Sequence, residues 1–286
     1  MNLALERYKE QIIVNEAFRQ SLGHELVSNN RFEGTILLVA NEILFEPNFV
    51  LDYHSNGTGI PHKCDFILVA DSINMRGGSI NLSGNSIIGF GVANKGSDGH
   101  DATEDIPAGG GGIGQQGNPG KKVGDGSNIK VFCKELVDIP IISNGGNGAT
   151  GEKGGPGGNG GKGGDFRRNT DGTFEIIHRP MGQAGKGGRG GPGGPGGNAG
   201  MIEVFFCSVS DLGGRQDFVS NGGRGGDRGP GGEPGRGRPL PGHNNLETLR
   251  GEPGDPGRPG VTKPPVIRKV TTSELWEMAS IELGIL

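Results

Sequence analysis

The sequence predicts a mainly β and irregular fold, in which short β-solenoid coils carry an inserted bundle of extended glycine helices and the chain has terminal α-helices. Three observations lead to this prediction. The 286 residues include 61 glycines and 18 prolines with only 31% hydrophobic residues, too few for a conventional core throughout. A hydrophobic stretch recurs four times. Glycine falls on every third residue in long segments between the later copies.

The four copies of the hydrophobic stretch are rich in β-branched and aromatic residues and are followed by Gly, Asn or Asp, which is typical of strands joined by turns. Single coils cannot bury their inner face, so stacking must supply the core. We expect coils one and two within residues 31–88, and coils three and four at 129–143 and 202–219. The copies read ILLVANEILF (36–45), FILVADSINM (66–75), IKVFCKELVD (129–138) and IEVFFCSVSD (202–211).

The longest insertion is symmetric. Glycine occupies every third position from Gly145 to Gly163 and again from Gly182 to Gly200, two tracts of equal length. Between them, β-forming residues flank the pair Asp171-Gly172, a strong hairpin signal. The insertion therefore predicts two antiparallel legs with a hairpin tip. Similar insertions with tips at 100–108 and 236–250 bring the number of legs to six, and legs and later coils together span residues 89–265.

A strict glycine period favours order over a flexible linker, whose glycines keep no register. Collagen shares the period but needs one glycine per triplet and gains stiffness from proline at the other positions. A left-handed helix with three residues per turn would instead give GGx triplets two bare faces, where backbones can touch and satisfy their hydrogen bonds. At a rise of about 3.1 Å per residue, each equal leg would span roughly 59 Å.

The GGx legs resemble those of the polyglycine II helix-bundle proteins, which include the antifreeze protein of snow fleas and the tail-fibre tip adhesins of some bacteriophages. The resemblance is one of architecture and covers the legs between residues 89 and 260. In the phage adhesins the bundle presents loops that bind the host surface. The resemblance therefore implies that the tips of this protein form a binding surface.

The ends of the chain differ from the rest. Apolar residues at helical spacing among charges predict an N-terminal helical cap or docking segment at residues 1–30, with the helix over 3–27. Thr271 before Glu274 is a helix-start signal in the C-terminal cap at 266–286. The segment VIRKV (266–270) is a candidate partial fifth coil.

The hairpin between the equal legs is the predicted binding site. It combines aromatic and cationic side chains, which dominate interface energies, and arginine pairs with carboxylate or phosphate groups. The alternative is that the hairpin only packs on neighbouring tips and closes the bundle. The candidate binding residues are Phe166, Arg167, Arg168, Phe174, His178 and Arg179.

No catalytic, cofactor or metal site is predicted, so the protein is not expected to be an enzyme. The GGKGGD and GGRGGD segments match the calcium-binding GGxGxD repeat, but the apolar residue required after each aspartate is missing. An acidic cluster at one tip could bind a divalent cation or could be a solvated loop: Asp98, Asp101, Glu104 and Asp105, beside His100. The three cysteines, Cys64, Cys133 and Cys207, are predicted to be buried.

These observations predict a non-enzymatic binding or adhesion protein, such as a fibre-tip component, whose partner is a cell-surface glycan or protein receptor. The alternative is a structural subunit that self-assembles into a fibre or shell; antifreeze activity is a weaker third hypothesis. A net charge of −4 argues against nucleic acid, and no apolar run suggests a membrane span. Without a classical signal peptide, we expect cytoplasmic synthesis, with incorporation into an extracellular particle left open.

Overall fold

The computed structural model describes residues 3–28, 33–52, 63–86, 91–137, 139–209, 217–241 and 245–285. A short 3-10 helix covers Leu246–Leu249. The two helices are α1 (Glu16–Ser28) and α2 (Thr272–Leu283). The strands are β1 (Leu3–Val14), β2 (Glu33–Phe45), β3 (Val50–Asp52), β4 (Lys63–Asn74), β5 (Ser79–Asn81), β6 (Ile129–Val137), β7 (Ile141–Ile142), β8 (Gly164–Thr170), β9 (Thr173–Arg179), β10 (Ile202–Val209), β11 (Phe218–Val219) and β12 (Val266–Lys269).

The first strands of the four repeats lie side by side in one parallel sheet. Its order is β1-β2-β4-β6-β10-β12, with β1 and β12 at the edges. Leu38 pairs with Leu68, Leu68 with Val131, and Val131 with Val204. Aligning the four copies of the hydrophobic stretch gives the same partners, so equivalent residues of the repeats lie side by side in the sheet.

The second strands of the repeats form a smaller parallel sheet in the order β11-β7-β5-β3. Buried side chains from both sheets make one apolar cluster, in which Leu38 and Leu68 lie together with Leu51 and Ile80. Phe18 and Leu22 of α1 join the same cluster beside the end of β1. The core is therefore built from neighbouring repeats, because each contributes only a few apolar residues to it.

The prediction of short β-solenoid coils with terminal α-helices is wrong. The structure is a continuous six-stranded parallel sheet with a smaller sheet beside it, and between the later repeats the chain leaves through glycine segments rather than continuing around a coil. Residues 3–14 form β1, and α1 begins only at Glu16. Of the two predicted terminal helices, the C-terminal one is present as α2, whereas the described N-terminal segment starts with a strand and is helical only over Glu16–Ser28. Ile12 and Val14 are buried and Ile13 between them is exposed, which is the two-residue period of a strand. The helix prediction relied instead on the helical spacing of other apolar residues in this segment.

Helix α2 covers part of the outer face of the large sheet. Leu275 and Ala279 are buried against sheet residues that include Phe132 and Phe205, whose rings stack with centroids 5.3 Å apart. The helix begins where Thr271 forms a capping box with Glu274. The predicted helix start is thus confirmed, while the preceding candidate coil forms only the edge strand β12.

The cysteines contribute to packing without forming disulfides. Cys64 and Cys133 are buried and Cys207 is half-buried, and all three are free thiols. Burial raises the pKa of the Cys133 thiol well above its ordinary value. The predicted burial therefore applies fully to two of the three.

The glycine-rich insertions form six legs: leg 1 (91–102), leg 2 (109–126), leg 3 (144–163), leg 4 (182–200), leg 5 (221–238) and leg 6 (250–262). The N–H groups of Gly185 and Gly188 in leg 4 donate to the carbonyl oxygens of Gly158 and Gly155 in leg 3, at 2.9 and 2.8 Å. Between these two bonds the residue number rises by three along leg 4 and falls by three along leg 3. Legs 3 and 4 are therefore antiparallel, with a three-residue hydrogen-bond period.

Legs of the same direction also bond to one another. The N–H groups of Gly148 and Gly151 in leg 3 donate to the carbonyl oxygens of Arg224 and Asp227 in leg 5, both numbers rising by three. The same relation joins leg 1 to leg 3, leg 2 to leg 4 and leg 4 to leg 6. Legs 1, 3 and 5 thus make one row and legs 2, 4 and 6 a second, antiparallel row.

The legs approach one another so closely, both between the two rows and within a row, that side chains have no room between them. A Cβ added to Gly157 in leg 3 would lie 2.1 Å from the carbonyl oxygen of Gly185, and one on Gly191 would lie 2.0 Å from that of Asn118. Real Cβ atoms do not approach backbone oxygens so closely. Glycine at these positions is a requirement of packing, since the legs are held by backbone contacts.

The third residue of each triplet carries a side chain and meets a different need. Its carbonyl accepts a hydrogen bond within the bundle, and at several positions its own N–H donates to a side chain of a neighbouring leg. The N–H of Asn159 donates to Asp98 Oδ1 at 2.6 Å, and Asn159 Oδ1 accepts the N–H of Arg236 at 2.9 Å. Proline, as at Pro156, has no N–H to satisfy, and its carbonyl accepts from Gly96 at 2.9 Å. Asparagine, aspartate and proline therefore recur there for a structural reason.

Candidate functional site

The hairpin at the end of legs 3 and 4 is formed by β8 and β9, as the sequence predicts. The strands are antiparallel, and Thr170 pairs with Thr173 across the turn. Asp171 and Gly172 both have positive φ, 55° and 83°, which is the geometry that a two-residue hairpin turn of the I′ type requires. Asn169 Oδ1 accepts the N–H of Gly172 at 3.1 Å and stabilises the turn.

One face of the hairpin packs on the neighbouring tip. Phe166, Arg168 and Arg179 lie on this face and are half-buried. Arg168 forms ion pairs with Glu104, at 2.8 Å, and with Asp105 of the tip between legs 1 and 2. An Nη2 N–H of Arg179 donates to the backbone oxygen of Glu104 at 2.9 Å. These contacts raise the pKa of Arg168, because its hydrogen bond to Glu104 and the Asp105 carboxylate favour the charged guanidinium.

The residues on the opposite face of the hairpin are exposed. Arg167 lies directly across from Ile176, and the next pair toward the turn is Asn169 and Phe174. The side chain of Phe174 is 74% exposed and that of Ile176 is 56% exposed. We call Arg167, Asn169, Phe174 and Ile176 the outer patch.

His178 shares the outer face and lies nearer to the legs. Its Nδ1 is 2.6 Å from Asp165 Oδ1, directly across the hairpin. Both side chains are mostly exposed to solvent. The pair therefore borders the outer patch on the side of the legs.

The six predicted residues thus divide between two faces. Arg167, Phe174 and His178 lie on the outer face, whereas Phe166, Arg168 and Arg179 lie on the packed face. Ile176 was not among the predicted residues, although the two-residue alternation of a strand would have grouped it with Phe174. The pairing of Arg168 with Glu104 has no sequence signal, because it joins two insertions.

The acidic cluster of the neighbouring tip has its carboxylates engaged by protein donors. Asp98 Oδ1 accepts the N–H of Asn159 and Asp101 Oδ1 accepts that of Lys162, at 2.6 and 2.7 Å. Glu104 and Asp105 pair with Arg168, as described above. In the described ranges no group of three His, Cys, Asp or Glu side chains is placed to hold a metal ion. The carboxylates of the cluster therefore join neighbouring legs and tips, and the side chain of Asp105 is at the same time 78% exposed.

The chain matches no protein-family description, no curated protein and no solved structure. Within the described part of the chain, neither α-helix has the length and apolar character needed to cross a bilayer. Function is therefore inferred from the chemistry of the surfaces.

Proposed function

We propose that this protein is a non-enzymatic binding or adhesion protein whose outer patch contacts its partner. The observation that carries the proposal is the exposure of Phe174 and Ile176 beside Arg167 at the far end of legs 3 and 4. A hairpin needed only to close the bundle would bury its apolar side chains on the neighbouring tip. Here the apolar side chains of the packed face are half-buried, while Phe174 and Ile176 on the other face are exposed.

The chemistry of the outer patch favours an acidic partner with some apolar surface. Arg167 forms no ion pair with the described residues, whereas Arg168 on the packed face is neutralised by two carboxylates. Guanidinium groups pair with carboxylates and phosphates, and aromatic side chains are common centres of binding energy. An acidic cell-surface glycan, or an acidic protein receptor, fits these properties.

The resemblance to the polyglycine II helix-bundle proteins stays a prediction. The three-residue hydrogen-bond period between the legs supports it, as does the absence of space for a Cβ at Gly157 and Gly191. A stack of legs joined through their backbones holds a tip at a fixed distance from the sheets. Such a spacer suits a protein that presents a surface to a partner.

The test compares the two faces of the hairpin. A double variant, Arg167→Ser with Phe174→Ala, should keep the melting temperature of the wild type and lose binding to acidic glycans on an array. The matched control, Arg168→Ser, removes a cation from the packed face and should keep binding. If the double variant bound as the wild type does, or if only Arg168→Ser lost binding, the outer patch would not be the binding surface.

A structural subunit is the second candidate, favoured by the edge strand β12. All four of its residues are exposed, including Val266 and Ile267, and its only strand partner in the described sheet is β10. An exposed sheet edge can pair with another chain. Sedimentation velocity over a range of concentrations would test this: assembly that Val266→Lys abolishes would support it, and a monomer throughout would exclude it.

A further inference from the structure

We propose that a groove on the outer face of the large sheet binds a neutral saccharide ring. The groove lies where α2 leaves the large sheet uncovered and has a volume of about 530 Å³. Legs 3 and 4 separate it from the hairpin. Ligand sites for small molecules have volumes of about 300–1,000 Å³. The side chains that carry the proposal are Tyr8, Asn41, Val69, Asp71 and Trp276.

The groove arises from the way α2 is placed. One row of outward side chains crosses the sheet, with Tyr8 paired to Val39, Val39 to Val69, and Val69 to Phe132. Helix α2 contacts β6 and β10, so it covers the Phe132 end of this row. Toward β1 the row is open: Val39 is half-buried and Tyr8 is 61% exposed. Half-buried Trp276 on α2 forms one wall of the groove, and Val39 and Val69 on the sheet form its apolar floor.

The lining combines the two kinds of surface that a sugar presents. Trp276 and Tyr8 offer aromatic surface to the C–H face of a pyranose ring, while Val69 supplies part of the floor. The amide of Asn41 both donates and accepts hydrogen bonds, and the Asp71 carboxylate accepts them. Ring hydroxyls need donors and acceptors together, so this mixture fits them.

Charge in the groove is balanced, which favours a neutral ligand. Lys134 Nζ is 2.6 Å from Asp71 Oδ1 and 5.3 Å from the centre of the Trp276 ring. This contact neutralises Asp71 and holds the indole in place by a cation–π interaction. Lys9 and Glu10, also in the lining, carry opposite formal charges. A phosphate or a uronic acid would find no net positive charge here.

The experiment uses the only tryptophan of the chain as its probe. Emission of Trp276 is recorded while the full-length protein is titrated with neutral hexoses, neutral N-acetylhexosamines, uronic acids and sugar phosphates. We expect a saturable spectral shift with at least one neutral sugar. Calorimetry with the same sugar should give the same dissociation constant.

Variants locate the binding and distinguish it from the outer patch. Tyr8→Ala and Asn41→Ala should each weaken the response by about tenfold, the size expected when one contact worth roughly 1.4 kcal/mol is lost. Arg167→Ser on the hairpin should leave it unchanged. A response that never saturates would overturn the proposal. So would Tyr8→Ala and Asn41→Ala variants that bind the sugar as tightly as the wild type, or tighter binding of the acidic sugars than of the neutral ones. The outer patch could fail its own test without affecting this result.

Discussion

Gly157→Ala should destabilise the protein strongly, because the added methyl group enters the contact between legs 3 and 4. Its Cβ would lie 2.1 Å from the carbonyl oxygen of Gly185, 2.5 Å from the carbonyl carbon of that residue and 2.9 Å from the nitrogen of Gly235. All three neighbours are backbone atoms, which cannot rotate away as a flexible side chain can. Legs 3, 4 and 5 must therefore separate locally.

The magnitude follows from the hydrogen bonds that this separation breaks. Closest to the new methyl group are the bond from Gly185 N–H to Gly158 O, at 2.9 Å, and the bond from Gly235 N–H to Gly185 O, at 3.0 Å. A buried group left without its partner costs about 1–3 kcal/mol. Two such losses, reduced by the roughly 0.4–1 kcal/mol gained when alanine restricts the unfolded chain, give about 3 kcal/mol.

Gly110→Ala is the matched control. It lies in leg 2, and its added Cβ would have its nearest neighbour at 3.8 Å, an ordinary van der Waals distance. Thermal unfolding of the two variants, followed by calorimetry, compares the same chemical change in two environments. At about 2–4 °C per kcal/mol, Gly157→Ala should melt at least roughly 6 °C below the wild type. If both variants melted at the same temperature, the close packing of the legs in solution would be refuted.

Three further predictions concern the hydrogen bonds of the third triplet positions and of α2. Asn147→Ala should lower the free energy of chemical unfolding by about 0.5–1.5 kcal/mol, because Asn147 Oδ1 accepts the N–H of Arg224 at 2.9 Å. Adding Arg224→Pro, which removes that N–H, should recover most of the loss. If the losses of the two single variants simply added in the double variant, this prediction would be contradicted. The hydrogen bond from Lys95, followed by the bond from the backbone N–H of Asn159, lowers the pKa of Asp98. The stabilisation from Asp98 is therefore present above the unfolded-state pKa of about 3.9, and it is lost as pH falls through the lower folded-state pKa. The unfolding free energies of the wild type and Asp98→Asn should therefore converge in acid. A constant difference at all pH values would show that the charge of Asp98 has no role. Thr271→Ala removes the N-cap of α2 and should cost about 1 kcal/mol, seen as faster amide exchange in its first turn, whereas unchanged exchange would mean that packing alone holds the helix.

The sequence by itself determined the features that depend on neighbouring residues and on repetition. The four copies of the hydrophobic stretch predicted strands that stack to supply the core, and equivalent residues such as Leu38 and Leu68 do lie side by side. Asp171-Gly172 between β-forming residues predicted the hairpin, because few other pairs adopt two positive φ angles in succession. Glycine at every third position predicted legs with bare faces. Each of these signals lies in a short segment of the sequence or in its repetition.

The tertiary structure decided the rest, because those features depend on which distant segments meet. Residues 3–14 have apolar positions compatible with either a helix or a strand, and pairing with β2 makes them a strand. Arg168 could have belonged to a binding surface, but Glu104 and Asp105 from another insertion engage it. The groove beside Trp276 needs residues from both ends of the chain. The spacing of apolar residues in the sequence indicates which face of a segment is apolar. Which other segment covers that face depends on the tertiary packing.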